Sequence, residues 1–423
     1  MAEPLNDPSE TSAADPDLPS PSSAGVRVVR RLAAAFAYPN FRNLWLAAFT
    51  SAVGTWTQRF AQQWLILTLT GSAFYLGLNV FIGELPLLLF TLIGGVVADR
   101  HDRRHLLIAS QVLQMMCALV LTAVVFFEVV EIRHILVLSF LTGLAQAFGG
   151  PAFQSMIPSM VPRKTLPNAI ALNSIQFNLA QMVGPLIGGA VLVSLGMVAC
   201  FGLNSLSFLA VIVVLSLMQL PLPPAKPSQK MLVAIKGGLS YVKNEPTLLA
   251  LTVLALATTS LGLPIRSFLP VFAEDAAHLS RLMTAVGAGA VAGALSVAWL
   301  GTFRNMGRTL LSVQIAFAGC VVAFAVLPFT IFSYVILFGV GATLLVVFAL
   351  ISSLVQLTVP NELRGRVLSI YLVAFRGGTP IGSLISGYFI GLSSASTVLA
   401  VNGLLLAAVA ALFLIRSREL QEL

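Results

Sequence analysis

Gly95-Val96-Val97-Ala98-Asp99-Arg100-His101-Asp102-Arg103-Arg104 is a burst of charge set between two long apolar runs. It follows the pattern G-x-x-[AG]-D-[RK]-x-x-[RK]-[RK]. The preference for basic residues on the inner side of a membrane accounts for the arginines but not for an acid at Asp99. A plain solvated charge cluster at a membrane edge, the alternative, leaves that acid unexplained. The segment is therefore read as a membrane boundary with a specific task for its carboxylate.

The flanking runs recur along the chain. Of 423 residues, 57% are hydrophobic and 9% charged, against roughly 25% charged in an ordinary soluble domain. So little polarity cannot cover a soluble surface, and a spanning helix needs about 20 mostly apolar residues. The runs 42–69, 72–98, 105–127, 133–156, 167–194, 197–219, 247–272, 281–303, 308–328, 331–357, 364–391 and 396–416 qualify. The expected fold is an all-α membrane protein with 12 transmembrane helices. The boundary between the seventh and eighth runs is the least sharply marked.

Orientation follows from Lys and Arg. With both ends inside, the inner segments hold nineteen of them, and the outer loops hold only Arg133 and Arg281 beside Glu128, Glu131, Glu274 and Asp275. This asymmetry is expected to place both termini in the cytoplasm, and the short connections without a signal segment suit a bacterial inner membrane. It also makes the net charge of +8 topogenic, with a share for anionic lipid of the inner leaflet. Nucleic acid is not an expected partner. Residues 1–40 read as a disordered cytoplasmic tail, since their start is rich in Pro, Ser, Ala and acids and has no apolar signal segment. Cys117, Cys200 and Cys320 lie in three different runs, so no disulfide or metal framework is expected. The chain contains no G-x-x-x-x-G-K-[ST], H-E-x-x-H or G-x-S-x-G, which argues against an ATP-driven pump and against an enzyme. No cofactor is expected.

Pro221, Pro223, Pro224 and Pro227 end the sixth run, and four lysines follow. The expected organisation is a six-helix bundle over 41–220, a linker over 221–245 and a second bundle over 246–416. A short cytoplasmic tail over 417–423 ends it. Within the linker, Met231, Ile235 and Leu239 fall at four-residue steps, as in an amphipathic helix lying on the membrane. Val161-Pro162 through Gly189 aligns with Val359-Pro360 through Gly387 at an offset of 198 residues, and each stretch runs into a Gly/Pro-rich helix. Parallel six-helix repeats produce such a pattern.

Four charges sit inside the runs: Arg59, Glu84, Arg266 and Arg376. Each costs on the order of 3 kcal/mol on insertion scales, which makes it a functional candidate. In the first run Ser51, Thr55, Gln58, Arg59 and Gln62 fall within about a 100° arc. Trp56, Phe60 and Trp64 lie on the other side, toward lipid or packing. Thr55, Gln58, Arg59 and Gln62 are thus expected to line a central cavity with Arg266 and Arg376, although Arg59 also has a snorkelling alternative. Glu84, ahead of Pro86, is the proton-coupling candidate, with a structural ion pair to Arg376 or Arg59 as the competing reading. Three Arg against one Glu favour anionic or polar amphipathic substrates.

Four segments carry a family resemblance: Gly54-Thr55-Trp56-Thr57-Gln58-Arg59-Phe60-Ala61-Gln62-Gln63-Trp64, the opening loop, Pro151-Ala152-Phe153-Gln154 to Gly189, and Leu363-Arg364-Gly365-Arg366-Val367. Together they resemble the major facilitator superfamily, in the branch of enterobactin exporters and macrolide or multidrug efflux proteins. The resemblance runs from about 40 to 415. It implies two pseudo-symmetric six-helix bundles forming a transporter that works by alternating access, with a small-molecule substrate, proton coupling and a monomer. It also implies a conformational latch in which Gly95, Asp99, Arg100, Arg103 and Arg104 meet Asn361, Glu362 and Arg364 at the start of the eleventh helix. The motif Gly184-Pro185-Leu186-Ile187-Gly188-Gly189 in the fifth helix implies export. Departures are Phe153 where the branch often has Arg, a fourth helix without the Arg of many proton antiporters, and an acid-free second loop copy at Gly301-Thr302-Phe303-Arg304-Asn305-Met306-Gly307-Arg308. An importer or a non-transporting sensor are the competing functions.

Overall fold

Hydrocarbon offers no water to satisfy a backbone, so each apolar run must close its own hydrogen bonds as a helix. The computed structural model describes residues 34–218, 241–301, 303–327, 331–360 and 364–422. The helices are α1 (Pro39–Thr70), α2 (Ala73–Arg100), α3 (Arg103–Phe126) and α4 (Ile132–Met160). Leu166–Leu217 then forms one stretch broken at Gly196, whose φ of 82° and ψ of −179° are not helical. It is treated as α5 (166–195) and α6 (197–217). There follow α7 (Pro246–Phe272), α8 (Ala276–Leu300), α9 (Met306–Val326), α10 (Ile331–Thr358), α11 (Arg364–Leu392), α12 (Ala395–Arg416) and a short α13 (Arg418–Glu422). No strand occurs among the described residues. Nine of these stretches are long and apolar enough to span by composition alone, with Leu166–Leu217 counted once. Pro39–Thr70 and Arg364–Leu392 are outside the nine, and each carries an arginine within an interrupted apolar run.

Local chemistry sets the breaks. Gly71 takes the left-handed backbone (φ 61°) that closes the turn from α1 to α2. Asp102 caps α3, its carboxylate accepting the N–H groups of Arg104 at 2.8 Å and His105 at 3.4 Å. The eighth helix starts earlier than the expected 281, because Asp275 accepts the His278 N–H at 2.6 Å and opens α8 at Ala276. Arg281 consequently sits on the helix, donating to the Tyr334 hydroxyl at 3.3 Å. Within the expected tail, Arg418–Glu422 is helical as α13, with Leu420 fully buried. The N-terminal tail and the amphipathic linker segment lie outside the described residues.

Packing repeats between the halves. Helix α2 lies on α4, α3 on α4 and α6, and α1 on α5 and α6. In the same way α8 lies on α10, α9 on α10 and α12, and α7 on α11. Two seams join the halves, α2 with α11 and α5 with α8. The close approaches depend on glycine: a Cβ on Gly143 would strike the Gly83 carbonyl between α4 and α2. One on Gly341 would strike the Val286 carbonyl between α10 and α8. Backbone contact of this kind is how helices associate where lipid offers no hydrophobic drive. The result is two pseudo-symmetric six-helix bundles.

The seams are not uniform along their length. Gly77 meets Ser383, Gly387 meets Ala73, Gly189 meets Ser280, and Gly287 meets Met182. All of these lie away from the end that carries Arg100, Arg103, Arg104, Arg163 and Lys164, here termed the basic end. Toward the basic end, Leu89 and Ile93 of α2, Ile175 and Phe177 of α5, Leu295 of α8, and Leu372 and Val373 of α11 are exposed.

Candidate substrate cavity

Between the bundles lies a cavity of about 250 Å3. Its wall takes Thr55, Gln58, Arg59, Gln62 and Gln63 from α1, and Asn79 and Glu84 from α2. Gln114, Ser139, Thr142, Gln146 and Asn204 add polarity from α3, α4 and α6. From the other half come Arg266 and Ser267 on α7, Met283 on α8 and Thr379 on α11. Thr55, Gln58, Arg59, Gln62, Glu84 and Arg266, expected from the sequence, are therefore neighbours in one space. Arg376 is not among the lining residues: it is exposed one turn from Thr379, because Gly377 and Gly378 take the faces toward Leu88 of α2 and Thr259 of α7.

Polar groups in the wall are held by one another. The Gln62 amide donates to Asn79 Oδ1 at 3.1 Å and to the Ser139 hydroxyl at 2.8 Å, and Ser139 donates to Asn79 at 2.7 Å. Asn204 donates to Gln58 Oε1 at 2.6 Å. Gln146 donates to Gln114 at 3.1 Å, and Gln114 donates to the Ser110 hydroxyl at 3.2 Å. Such a network rigidifies its helices, because each freed partner would be left unsatisfied in low dielectric. Gln63 Oε1 is the exception, buried without a partner.

The charges are arranged differently from the amides. Arg59 Nη2 stands 3.9 Å from Glu84 Oε1, with 46% and 31% of the two side chains exposed. At that distance and exposure the pair contributes little to stability. Both Arg59 and Arg266 direct their guanidinium groups at the Trp56 ring, at 5.1 Å and 5.3 Å from its centroid. Trp56 was expected to face lipid or packing; it lines the cavity instead, because two cations from opposite halves converge on its π-face. Phe60 is fully buried in the core and Trp64 packs against it. Arg266 has no carboxylate partner among the described residues. On the other side of Trp56 and Arg266, away from the basic end, lies a void of about 10 Å3, walled by Gln181, Pro185, Leu269, Met283 and Val286. A single water needs about that much.

The fifth-helix motif closes the structure around this floor. A Cβ on Gly184 would strike Trp56, and one on Gly188 would stand 2.8 Å from Phe60 Cδ1. The Thr57 hydroxyl donates to the Gly184 carbonyl at 3.0 Å, and Ser280 of α8 donates to the Pro185 carbonyl at 2.8 Å. A Cβ on Gly189 would strike Ser280 as well. Gly184, Pro185, Gly188 and Gly189 thus hold α5 to α1 and to the opposite bundle at once.

The residues expected in the latch are placed only in part. Asn361 and Glu362 lie outside the described residues, as do the side chains of Asp99 and Arg364. Gly95 has open space at its Cβ, and Arg100 is exposed at the end of α2. Arg103 donates to the Ser155 carbonyl at 3.2 Å and Arg104 to the Ser216 carbonyl, near the ends of α4 and α6. Basic groups at helix C-termini meet unpaired carbonyls and the negative end of the macrodipole.

The sequence reading missed Trp56, Gln63, Asn79, Gln114, Ser139, Thr142, Gln146, Asn204, Ser267 and Thr379. Ser139, Thr142 and Gln146 share a helical face by their spacing, which is a legible signal. Asn79 stands alone in an apolar run and Asn204 sits beside Ser205 and Ser207; only the tertiary contact with Gln62 and Gln58 places the two amides at the cavity.

The family described as transmembrane secretion effector matches residues 32–422. The multidrug efflux pump Tap of Mycolicibacterium fortuitum is 29% identical over 390 residues, covering 88% of this chain and 95% of its own. Enterobactin exporter EntS of Salmonella typhi is 24% identical over 355 residues, covering 83% and 85%. Among solved structures, a mutant of the nucleoside transporter NupG superposes with a TM-score of 0.73 at 14% identity, over 89% of this chain and 100% of that one. A bacterial homologue of the human lysosomal transporter Spinster gives 0.69 at 15% identity, over 90% and 97%.

Proposed function

We propose that this chain, which belongs to the transmembrane secretion effector family and is a membrane transporter rather than an enzyme, exports small amphipathic anions by alternating access. The observation that carries the anion is Arg266. A guanidinium held in a cavity only by an aromatic face lacks a counter-charge, and leaving a charge unpaired away from water costs several kcal/mol. A carboxylate or phenolate of the substrate supplies the missing partner bidentately. The amide-rich wall of the first half then receives the neutral part of the same molecule.

Direction rests on similarity to proteins named as an efflux pump and an exporter, and on the glycine-rich contacts of α5. With the basic end in the cytoplasm of a bacterial cell and both termini there, the cavity is reached from inside, and Trp56 with Arg266 forms its outer floor. Outward opening parts the α2–α11 and α5–α8 seams at their far end. The basic end then closes through Gly95, Asp99, Arg100, Arg103 and Arg104 against Glu362 and Arg364. The chain acts as a monomer in the inner membrane.

Glu84 is assigned the proton. A carboxylate within reach of Arg59, with no closer ion pair, loses its charge partner whenever Arg59 turns to a substrate anion. Protonation from outside and release inside would then alternate with substrate binding. In everted membrane vesicles an imposed pH gradient should drive uptake in the native chain and not in Glu84→Gln. A rate in Glu84→Gln that still follows the gradient removes Glu84 from coupling. The decisive experiment for the function itself is mass spectrometry of cytoplasm and medium from cells lacking the protein and cells overproducing it. An anion retained by the deletion strain and released by the overproducer supports export; an anion gained by the overproducer means import.

A further inference from the structure

The second loop copy, Gly301 to Arg308, has lost its acid, and the fold shows what occupies that place. Helix α3 begins at Arg103 and α9 at Met306, so Asp102 corresponds to Asn305 and Arg104 to Gly307. In the first half the Arg104 guanidinium donates to the Ser216 carbonyl in the last turn of α6. In the second half the corresponding residue has no side chain. A Cβ on Gly307 would run into the carbonyl of Leu420, because α13 lies directly on it. Leu420 has no exposed surface and belongs to one apolar cluster with Val242, Leu248, Met306, Leu310 and Val355. From the same helix, the Gln421 amide donates to the Leu414 carbonyl at 2.7 Å and to the Ser417 carbonyl at 3.2 Å.

The two halves therefore solve one problem twice. The last carbonyls of a sixth helix have no partner within that helix and need a donor. Arg104 supplies it for α6, reaching across from the next helix but two. Gln421 supplies it for α12, and Leu420 covers the apolar surface that an arginine stem would otherwise cover. We propose that α13 is a built-in clamp that docks in the groove vacated by the missing arginine and ties the basic end of α12 to α9 and to the start of α7. The second bundle thereby keeps that end together as one body, independently of what the cavity holds.

The clamp is tested in the full-length protein purified in detergent, by thermal melting, with export rate as a second readout. Ending the chain at Ser417 should lower the melting temperature by several degrees, and Leu420→Asp should do the same in a chain of full length. Gly307→Arg should lower it too, because the new side chain displaces α13. In the shortened chain the same Gly307→Arg should raise it, since the arginine now reaches the end of α12 as Arg104 reaches α6. That reversal of sign is what a shared groove requires, whereas independent sites give additive effects. A shortened chain that melts with the native one overturns the clamp, as does Gly307→Arg lowering both backgrounds equally. If the shortened chain does not accumulate, Leu420→Asp with and without Gly307→Arg makes the same comparison.

Discussion

Helices α1 and α7 hold corresponding places in the two bundles, yet they are built on different plans. Helix α1 runs unbroken from Pro39 to Thr70, with Thr55, Gln58, Arg59, Gln62 and Gln63 facing the cavity. Helix α7 passes from an α-segment, Pro246–Ala257, through a π-turn, Thr258–Gly262, to Pro264–Phe268 and a 3-10 turn. It presents Leu263, Arg266 and Ser267 to the same cavity. Thr258 and Thr259 return their hydroxyls to the Leu254 and Ala255 carbonyls at 2.7 and 2.9 Å, next to the π-turn. Single π-turns accompany functional sites more often than chance. The pseudo-symmetry thus repeats the helix packing and leaves the chemistry unequal: the first half provides a hydrogen-bonded polar wall, and the second provides one cation on an irregular helix.

The largest expected effect tests that division. Arg266→Gln should lower transport of an anionic substrate roughly 10- to 100-fold, the value of a charged hydrogen bond, with little change in the melting temperature. Removing a charge that has no carboxylate partner forfeits only its contact with the Trp56 ring, which is worth about 0.5–1 kcal/mol at an exposed site. Equal transport in Arg266→Gln and the native chain would mean that the second half does not read charge.

Packing is expected to be the equal part. Gly184 of α5 and Gly382 of α11 stand at matching places in the repeat, the first against Trp56 and the second against the Ser260 carbonyl. Gly184→Leu and Gly382→Leu should each cost about 1–3 kcal/mol or fail to fold, as overpacked sites do. Similar losses of detergent-stable protein would support equivalence; a harmless substitution in either half would break it.

A comparison of polar walls comes next. Gln62→Leu leaves Asn79 and Ser139 short of a donor and should cost about 1–3 kcal/mol, measured by thermal melting. Thr379→Val, in the second half, should cost less than Gln62→Leu. The reverse order would contradict a polar wall held mainly by the first half.

The smallest effect concerns the two loop copies. Asp102→Ala should cost about 1 kcal/mol, the worth of an N-cap. Asn305→Gly should cost nothing, since Asn305 makes no cap bond and its φ of 64° suits glycine. Burial pushes the Asp102 carboxyl up, but the N–H groups of Arg104 and His105 and the His105 side chain outweigh it and hold the group below its ordinary 3.8. The cap's contribution is accordingly present above that value and is lost only as pH falls through the lowered one. A response of melting to Asp102→Ala that is full at neutral pH and shrinks only as the pH falls below 3.8 would agree.

Much of this was legible without coordinates. Twelve apolar runs dictate twelve helices because an unpaired backbone is intolerable in hydrocarbon. Gly71, Gly196 and Asp102 mark turns and caps by local chemistry alone, and α5 and α11 begin at Leu166 and Arg364, at the offset of the internal repeat. The polar stripe of α1 follows from helical periodicity. That periodicity could not place Trp56, because its neighbours Arg59 and Arg266 come from one turn away and from the other bundle. Nor could it remove Arg376 from the cavity, which depends on how Gly377 and Gly378 seat α11 on α2 and α7. The same holds for α13, where five residues too few to fold alone become helical by burying Leu420 on Gly307. Sequence by itself determined the spans, their breaks and the chemistry within each helix, since those depend on residues near in the chain. Which polar groups share a space was decided by tertiary structure, because glycine-mediated contacts between distant helices set every rotation about a helix axis.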